Sequence, residues 1–215
     1  MNIINFIKDN LNSESVFFEI GSHFGVDTKE FIKVTKNLHC FEPDNRNIEM
    51  FKRLNLPVSL NEYAISDVDG VSIFYLSSGN VYESKYGPTN NEVINQNDWS
   101  ASSSLMAPKN HTIKTPWVKF ENTIEVKTKK IETYCLENNI KNIDFIWMDV
   151  QGAELNIIKG MGKFKEKTHY IYTEYSDEEL YEHQGTKQQI IDLLGPNWVL
   201  IFDFGGDIIL KNKNY

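Results

Sequence analysis

The chain has 215 residues, of which 40% are apolar and 24% are charged, and its formal net charge is −8. This composition is typical of one soluble globular domain and argues against extensive disorder, and the negative charge argues against a nucleic-acid partner, because binding phosphates requires a basic surface. No apolar run approaches the roughly 20 residues that cross a bilayer, so the sequence predicts no membrane span.

The N-terminal residues and the two cysteines bear on the cellular compartment. Residues 2–12 lack the features of a secretion signal, and isoleucines at helical spacing predict a short helix packed on the domain. Cys40 and Cys135 form no CxxC pair and belong to no zinc-ligand pattern. We expect two buried thiols in a protein of the reducing cytoplasm and no metal site built by the chain.

In the first part of the chain, short apolar runs alternate with helical patterns. The patterns predict strands at 16–20, 38–42 and 58–65, helices at 26–36 and 44–54, and an edge or hairpin strand at 71–76. Residues 77–123 interrupt this rhythm, because they are rich in Ser, Asn, Gly and Pro and carry Trp99 and Trp117. A segment of this length without clear structure is usually functional.

The second part returns to the alternation. Strands are predicted at 123–128, 142–150 and 168–175, helices at 130–139, 152–161 and 186–195, and a terminal hairpin at 197–212 that turns at Gly205 and Gly206. Strands that alternate with helices predict a single doubly wound α/β domain over residues 1–215, with a mostly parallel sheet and a C-terminal antiparallel hairpin. Ligands of such folds lie at the carboxyl ends of the strands.

The first motif is EIGSHFG, residues 19–25, between the first strand and the first helix. Gly21 and Gly25 permit a tight turn and a close approach of the backbone around Ser22 to a ligand, but the spacing is not the GxGxxG of pyrophosphate binders. Such a turn suits a cofactor without phosphates, such as S-adenosylmethionine, with Glu19 accepting from its ammonium group. The alternative is a plain turn from strand to helix.

The second motif is CFEPD, residues 40–44. Glu42 follows Gly21 by 21 residues and precedes Pro43. A carboxylate about 20 residues beyond a glycine turn is placed to hold ribose, because its two oxygens match two adjacent hydroxyl donors. The alternative is a surface glutamate before a helix.

The third motif is YAISDVDG, residues 63–70, which ends the third predicted strand. Here Ile65 is a candidate for the face of an adenine ring, and Ser66 or Asp67 for its exocyclic amine. The alternative is an ordinary Asp-Gly turn with no binding role.

Acidic residues end two strands of the second part of the chain. Asp149 ends the most apolar strand and Glu174 ends the next, so both are expected in the cleft. Asp149 is a candidate general base, metal ligand or orienter of the methyl donor; the alternative is a helix N-cap. His23, inside the glycine turn, and His183, beyond Glu174, are further candidates.

Read in order, these stretches resemble the FkbM family of S-adenosylmethionine-dependent methyltransferases. The matching segments within residues 16–175 are FFEIGSHFG, CFEPDNRN, YAISDVDG, SASSSL, IETYC and IDFIWMDVQGAEL. The resemblance implies a class I methyltransferase fold with a seven-stranded, Rossmann-like sheet, and O-methylation of sugar or polyketide hydroxyls. It also implies that the Ser-rich segment 100–104, with Ser103, touches the donor or closes the site.

The chain departs from the family pattern at several positions. The family usually has Asp where Glu19 stands, Lys where Trp147 stands, Glu where Gln151 stands, and Asn near Phe24. Trp147 instead offers a flat apolar face on which a sugar ring could stack.

Together these patterns predict methyl transfer from S-adenosylmethionine to a hydroxyl of a sugar, a glycan or a related small molecule. Asp149 is the first candidate base, followed by Glu174 and His23, and assistance by a divalent metal stays open. Residues 77–123 should cover the acceptor, with Trp99 or Trp117 as stacking surfaces.

Two other function classes remain possible on the sequence alone. One is a nicotinamide-dependent oxidoreductase of Rossmann type, against which the missing GxGxxG counts. The other is a non-catalytic binding domain that kept the fold. The sequence does not predict the oligomeric state.

Overall fold

A seven-stranded sheet organises the computed structural model, which describes residues 2–80 and 98–215. Across the sheet the strands are β3 (Ser59–Asn61), β2 (Asn37–Phe41), β1 (Val16–Ile20), β7 (Ile143–Met148), β8 (Thr168–Glu174), β10 (Asp207–Asn212) and β9 (Trp198–Asp203). The first five are mutually parallel, whereas β10 is antiparallel to both β8 and β9. This arrangement confirms the predicted fold class.

Helices cover both faces of this sheet. The helices are α1 (Ile3–Asn10), α2 (Thr28–Phe31), α3 (Asn45–Arg53), α4 (His111–Lys114), α5 (Ile131–Glu137), α6 (Glu154–Gly160) and α7 (Lys187–Leu194), and a 3₁₀ helix spans Gly162–Lys167. Because successive strand residues point to opposite faces, Phe18 and Ile146 join one core layer, and Phe17 and Phe145 join the other. In the part of the chain that the structure describes, every helix is too short or too polar to cross a membrane.

A second, three-stranded sheet has the order β4 (Ala64–Ile65), β6 (Lys119–Lys129), β5 (Gly70–Ser78). Strand β5 is antiparallel to β6, as expected for a hairpin partner, and β4 is parallel to β6. The single strand predicted over 58–65 is therefore wrong. The chain leaves the main sheet after β3, which pairs with β2, and joins the second sheet at β4.

The helix predicted over 26–36 is also shorter than expected, because α2 has only four residues. The backbone N–H of Lys36 donates to the carbonyl of Ser13, and the Thr35 hydroxyl donates to the carbonyl of Ser15 and accepts from Asn37 N–H. A threonine that bonds to neighbouring backbone in this way competes with helical hydrogen bonding.

The predicted insertion 77–123 is partly described. Residues 81–97 lie outside the described residues; the remainder includes the end of β5, α4 and the start of β6. Lys109 N and His111 N donate to the carbonyl of Leu180, and Glu182 N donates to that of Ala107. These bonds hold the described end of the insertion against the residues that follow β8.

Candidate active site

A cleft with an empty volume of about 880 Å³ lies at the carboxyl ends of β1, β2 and β7. The strand order reverses at this point, because the strands that follow β1 in sequence add to the sheet first on the β2 side and later on the β7 side. Open α/β sheets bind their ligands at such a switch point. The predicted site residues that line the cleft are Gly21, Ser22, His23, Glu42, Pro43, Ile65, Ser103 and Asp149. Those outside the lining are Glu19, Gly25, Ser66, Asp67 and Glu174.

The turn after β1 forms one wall. Gly21 has φ +88°, and a Cβ on it would lie 1.8 Å from the carbonyl oxygen of Asp149. Only glycine therefore lets β1 end this close to β7. The amides of Gly21 and Ser22 both donate to the carbonyl of Phe41, at 3.0 and 3.1 Å, which fixes the turn against β2.

Gly25 has a different role from the one predicted. Its φ is +75°, and a Cβ there would lie 2.8 Å from the ring of Phe51 on α3. It allows the turn to pack on that helix and does not line the cleft.

Glu42 follows β2 and is only 4% exposed. One carboxylate oxygen, Oε2, accepts from the His23 amide at 2.9 Å; the other, Oε1, accepts from the Asp44 amide at 2.9 Å and from Asn47 Nδ2 at 3.1 Å. Desolvation raises the pKa of Glu42 to about 7, although its hydrogen bonds oppose the shift. The carboxylate is thus oriented in the cleft wall before any ligand arrives.

Glu19 requires a correction, because its side chain does not line the cleft. Its carboxylate accepts from the hydroxyl of Thr28 at 2.6 Å and from the thiol of Cys40 at 3.3 Å. Alternate strand residues face opposite ways, so Ile20 reaches the cleft and Glu19 faces the other layer. Burial raises the pKa of Glu19 to about 8. Direct contact between Glu19 and a ligand ammonium is not what this geometry supports.

Of the three residues at the end of β4 that were predicted to contact adenine, only Ile65 lines the cleft. Ile65 lines the cleft together with Phe74 and Leu105. Ser66 and Asp67 do not, because the Ser66 amide donates to the carbonyl of Lys129 and the Ser66 hydroxyl donates to Asp67. The structure supports an apolar wall here without the predicted polar contact.

Asp149 belongs to a buried acidic pair. Gln151 Nε2 donates to Asp149 Oδ1 at 2.8 Å and to Glu174 Oε2 at 3.1 Å. Burial raises the pKa of both carboxyl groups, and the nearby Asp149 charge helps raise that of Glu174 to about 9. We infer that Glu174 holds the proton near neutral pH and that Asp149 is the ionised partner. Glu174 therefore supports Asp149 and lies outside the cleft lining.

Of the two histidine candidates, only His23 lies in the cleft. His23 lines the cleft, with Nε2 2.9 Å from the hydroxyl of Ser100, and burial lowers its pKa to about 4, so its ring is neutral at physiological pH. His183 is exposed, and its amide donates to the side chain of Glu179. The structure does not bring His183 to the cleft.

The Ser-rich segment reaches the cleft as the resemblance implied. Ser100, Ala101, Ser103 and Leu105 are among the lining residues. The hydroxyl of Ser103 accepts from the Ser77 amide at 2.9 Å, and that of Ser100 donates to Asn47 at 2.6 Å. Asn47, Ser100 and Phe74 were not predicted individually. The first two lie in the quoted stretches CFEPDNRN and SASSSL, but no spacing rule selects them.

The tryptophans do not offer the predicted surfaces within the cleft. Trp99 and Trp117 contact each other edge to face at 5.1 Å, and neither lines the cleft. The ring of Trp147 stacks on Tyr172 at 4.0 Å and contacts Phe31 at 5.0 Å. Trp147 is partly buried by these two rings and lies outside the cleft lining, so the open stacking face predicted for it is wrong.

Within ranges 2–80 and 98–215, no group of three or more His, Cys, Asp and Glu side chains is arranged to hold a metal ion. Cys40 and Cys135 are both free and buried, as predicted.

The lining fits an adenosyl ligand at three points. Glu42 presents acceptor oxygens suited to ribose hydroxyls, Ile65, Phe74 and Leu105 provide an apolar wall suited to an aromatic base, and the close approach of the Gly21 turn to Asp149 places both residues in the cleft wall.

Comparisons with known proteins agree with this geometry. A family model described as "Methyltransferase FkbM domain" matches residues 19–205. The 2-O-methyltransferase NoeI of Sinorhizobium fredii (strain NBRC 101917 / NGR234) is 37% identical over 208 residues, which are 93% of this chain and 80% of that protein. These matches give no support to the nicotinamide-dependent alternative.

Two solved structures show the same fold at low sequence identity. A methyltransferase FkbM from Methylobacillus flagellatus KT has a TM-score of 0.50 and 12% identity, over 93% of this chain and 43% of that one. An rRNA methylase from Streptococcus thermophilus has a TM-score of 0.51 and 9% identity, over 98% and 93%. With the family match across residues 19–205, the chain belongs to the FkbM family of S-adenosylmethionine-dependent methyltransferases, which confirms the predicted family and methyl donor.

Proposed function

We propose that this enzyme methylates a hydroxyl group of a sugar or glycan. The observation that carries an oxygen acceptor is the 37% identity to a protein named as a 2-O-methyltransferase, over 93% of this chain. A neutral acceptor is supported by the cleft itself, since its described lining residues include Asp27, Glu42 and Asp149 but neither lysine nor arginine. The net charge of −8 supports an acceptor other than nucleic acid.

S-adenosylmethionine supplies an electrophilic methyl group when it is bound. In this proposal Glu42 holds the ribose hydroxyls, and Ile65, Phe74 and Leu105 exclude water from the adenine ring. Asp149 accepts the proton of the acceptor hydroxyl, because it lines the cleft and its burial raises its pKa, which makes its carboxylate a stronger base than an exposed aspartate.

Two neighbouring side chains hold the Asp149 carboxylate in place. Gln151 donates to Asp149 and also to Glu174, the other member of the buried acidic pair.

His23 is the second candidate base, since its neutral ring also lines the cleft.

The insertion 77–123 is assigned to the acceptor side. Its described part reaches the cleft through Ser100, Ala101, Ser103 and Leu105. We further propose a cytoplasmic location, on the observation that Cys40 and Cys135 are unpaired.

The proposal is tested with the full chain, S-adenosylmethionine and a panel of neutral saccharides. We expect S-adenosylhomocysteine release and a product heavier by one methylene group, and we expect neither with the matching acceptor that lacks the reactive hydroxyl. Methyl transfer to nitrogen or carbon in place of oxygen would contradict the proposal. Calorimetry with S-adenosylhomocysteine separately tests the donor site, because a folded sample that binds none would rule it out.

A further inference from the structure

Four residues that line the cleft are joined in a closed ring of hydrogen bonds, which passes through three side chains and through both the backbone amide and the side chain of His23. The amide of His23 donates to Glu42 Oε2 at 2.9 Å, and Asn47 Nδ2 donates to Glu42 Oε1 at 3.1 Å. Ser100 Oγ donates to Asn47 Oδ1 at 2.6 Å, and His23 Nε2 lies 2.9 Å from Ser100 Oγ. The ring connects the turn after β1, the end of β2, the first turn of α3, and the segment Asp98–Leu105, which we name the acceptor segment.

The chemistry of Asn47 fixes the direction of every bond in this ring. Its Nδ2 group donates to Glu42, so its Oδ1 atom must accept from Ser100. The single hydroxyl proton of Ser100 is then used, and Ser100 must accept from a proton on His23 Nε2. Loss of the Ser100 hydroxyl would remove the partner of Asn47 Oδ1 and of His23 Nε2 in a buried site.

The same helix makes a second connection to the acceptor segment. Arg46 donates to Asp98 Oδ1 at 2.9 Å and to the carbonyl of Ser77 at 3.1 Å. Arg46 also pairs with Asp44, whose amide donates to Glu42. Two paths therefore run from the Glu42 carboxylate through the start of α3 to the acceptor segment.

We propose that Asn47 and Ser100 are positioning residues that couple donor binding at Glu42 to the placement of the acceptor segment. This inference rests on the proposed donor site. A ligand that engages Glu42 adds a further bond to this preoriented carboxylate, the ring transmits the added constraint to Ser100, and the acceptor segment is held more firmly against the cleft. Because coupling between two sites is reciprocal, a segment that is attached more firmly when the donor is bound must also favour donor binding, and weakening its attachment must weaken donor binding by up to the coupling factor.

The acceptor segment is held by further contacts besides those of Ser100. Ser103 accepts from the Ser77 amide, and the Tyr181 hydroxyl donates to the carbonyl of Ser102. We therefore expect the Ser100→Ala protein to fold. Ser102 provides a matched control, because it is a buried serine of the same segment whose hydroxyl accepts from Trp99 and takes no part in the ring.

The experiment combines calorimetry with hydrogen exchange on the full chain, using S-adenosylhomocysteine as the probe. In the unsubstituted protein the probe should slow amide exchange in peptides covering residues 98–105. Ser100→Ala should bind the probe about fivefold more weakly, the effect of one net hydrogen bond, and should lose the protection of those peptides. Ser100→Thr, which keeps the hydroxyl, and Ser102→Ala should both behave as the unsubstituted protein.

The outcomes separate the inference from the function on which it rests. If Ser100→Ala keeps both the affinity and the protection while Glu42→Ala loses affinity, the coupling is wrong and the donor site stands. If the unsubstituted protein binds no probe, or Glu42→Ala binds it unchanged, both are wrong. Should Ser100→Ala fail to fold, Asn47→Ala opens the ring from the other side, and the same loss of affinity and protection is expected.

Discussion

In the proposed donor site, Glu42 is the residue from which we expect the largest effect on binding. Substitution by Gln keeps its size but replaces an acceptor oxygen with an amide that faces the backbone donors of His23 or Asp44. We expect Glu42→Gln to weaken S-adenosylhomocysteine binding by about 1–3 kcal/mol, because a ribose hydroxyl buried against this side chain would lose its acceptor. Calorimetry measures this, and Glu49→Gln, an exposed position on α3, is the control. Equal affinities for the two variants would remove Glu42 from the site.

Asp149 permits a separate test of the chemical step. Asp149→Asn keeps an oxygen that can accept from Gln151 but removes the basic carboxylate. We expect turnover to fall by roughly 10²–10⁴-fold, the usual contribution of a general base, with S-adenosylhomocysteine affinity unchanged. Steady-state rates with the identified acceptor and calorimetry measure the two effects. A variant with full turnover would shift the assignment to His23.

Sequence spacing predicted some of these residues and failed for others for a physical reason. Glu42 was found because the ends of two adjacent parallel strands meet, so a residue after β2 lies beside the Gly21 turn. Glu19 was misplaced by one position of strand alternation, which turns the side chain to the opposite layer. The contact of Asn47 with Ser100 joins residues 53 positions apart, and no local pattern contains it.

At the scale of elements, the turn after β1 is the part least tolerant of change. Gly21→Ala would combine a positive φ of +88° with a Cβ 1.8 Å from the backbone of Asp149. The backbone strain alone costs about 1–3 kcal/mol, and the clash must add to it. Urea unfolding measures the loss of stability.

Gly205 is the matched control for that substitution. It lies in the turn between β9 and β10 with φ +82°, and a Cβ there would meet nothing within 4 Å. We expect Gly205→Ala to be clearly less destabilising than Gly21→Ala. Equal losses for the two variants would show that strain alone matters and that β1 can move away from β7.

Elements were predictable where one face of the core dictates their pattern. The apolar run of β7 is buried on both faces and was placed within two residues of its observed bounds, Ile143–Met148. The split between β3 and β4 was missed, because it depends on the pairing of Ala64 with Thr128 in another sheet. Helix α2 was overestimated, because the amides of Lys33 and Val34 donate to carbonyls three residues back in place of four, and the amide of Lys36 donates to Ser13 outside the helix.

For the whole molecule, the active cleft is formed between the main sheet and the second sheet. Phe74 on β5 and Leu105 complete a wall whose other members follow β1 and β2. The association of β5 with β6 brings residues 70 and 128 together, so it could not be derived from either strand alone. The general position of the site was predictable from the parallel strands, whereas the opposite wall required the structure.

The buried carboxyl groups make the stability of the whole protein depend on pH in a definite direction. Burial raises the pKa of Glu19 to about 8, of Glu42 and Glu154 to about 7, and of Glu174 to about 9. In the unfolded chain these groups titrate near 4.3. Between these values the folded state binds more protons than the unfolded state, so the free energy of unfolding falls as pH rises.

Buried histidines oppose this trend only at lower pH. The pKa values of His23, His39, His111 and His169 are lowered by burial, so these groups favour the folded state as pH rises toward 6.5. Above about pH 7.5, roughly one unit beyond the histidine pKa of the unfolded chain, they are neutral in both states, and the carboxyl effect is then unopposed. We expect the free energy of unfolding to decrease from about pH 7.5 to 8.5, by at most about 1.4 kcal/mol per pH unit for each carboxyl group.

Urea unfolding at several pH values checks this expectation. Glu174→Gln removes the carboxyl group with the highest of these pKa values, so its stability should decline less between pH 7.5 and 8.5 than that of the unsubstituted protein. Glu121→Gln, at an exposed position, should leave the decline unchanged. A free energy of unfolding that stays constant or rises over this range would mean that the buried carboxyl groups are already ionised in the fold. Asp149 and Glu174 would then share no proton, and the assignment of Asp149 as the ionised partner held by a neutral Glu174 would be wrong.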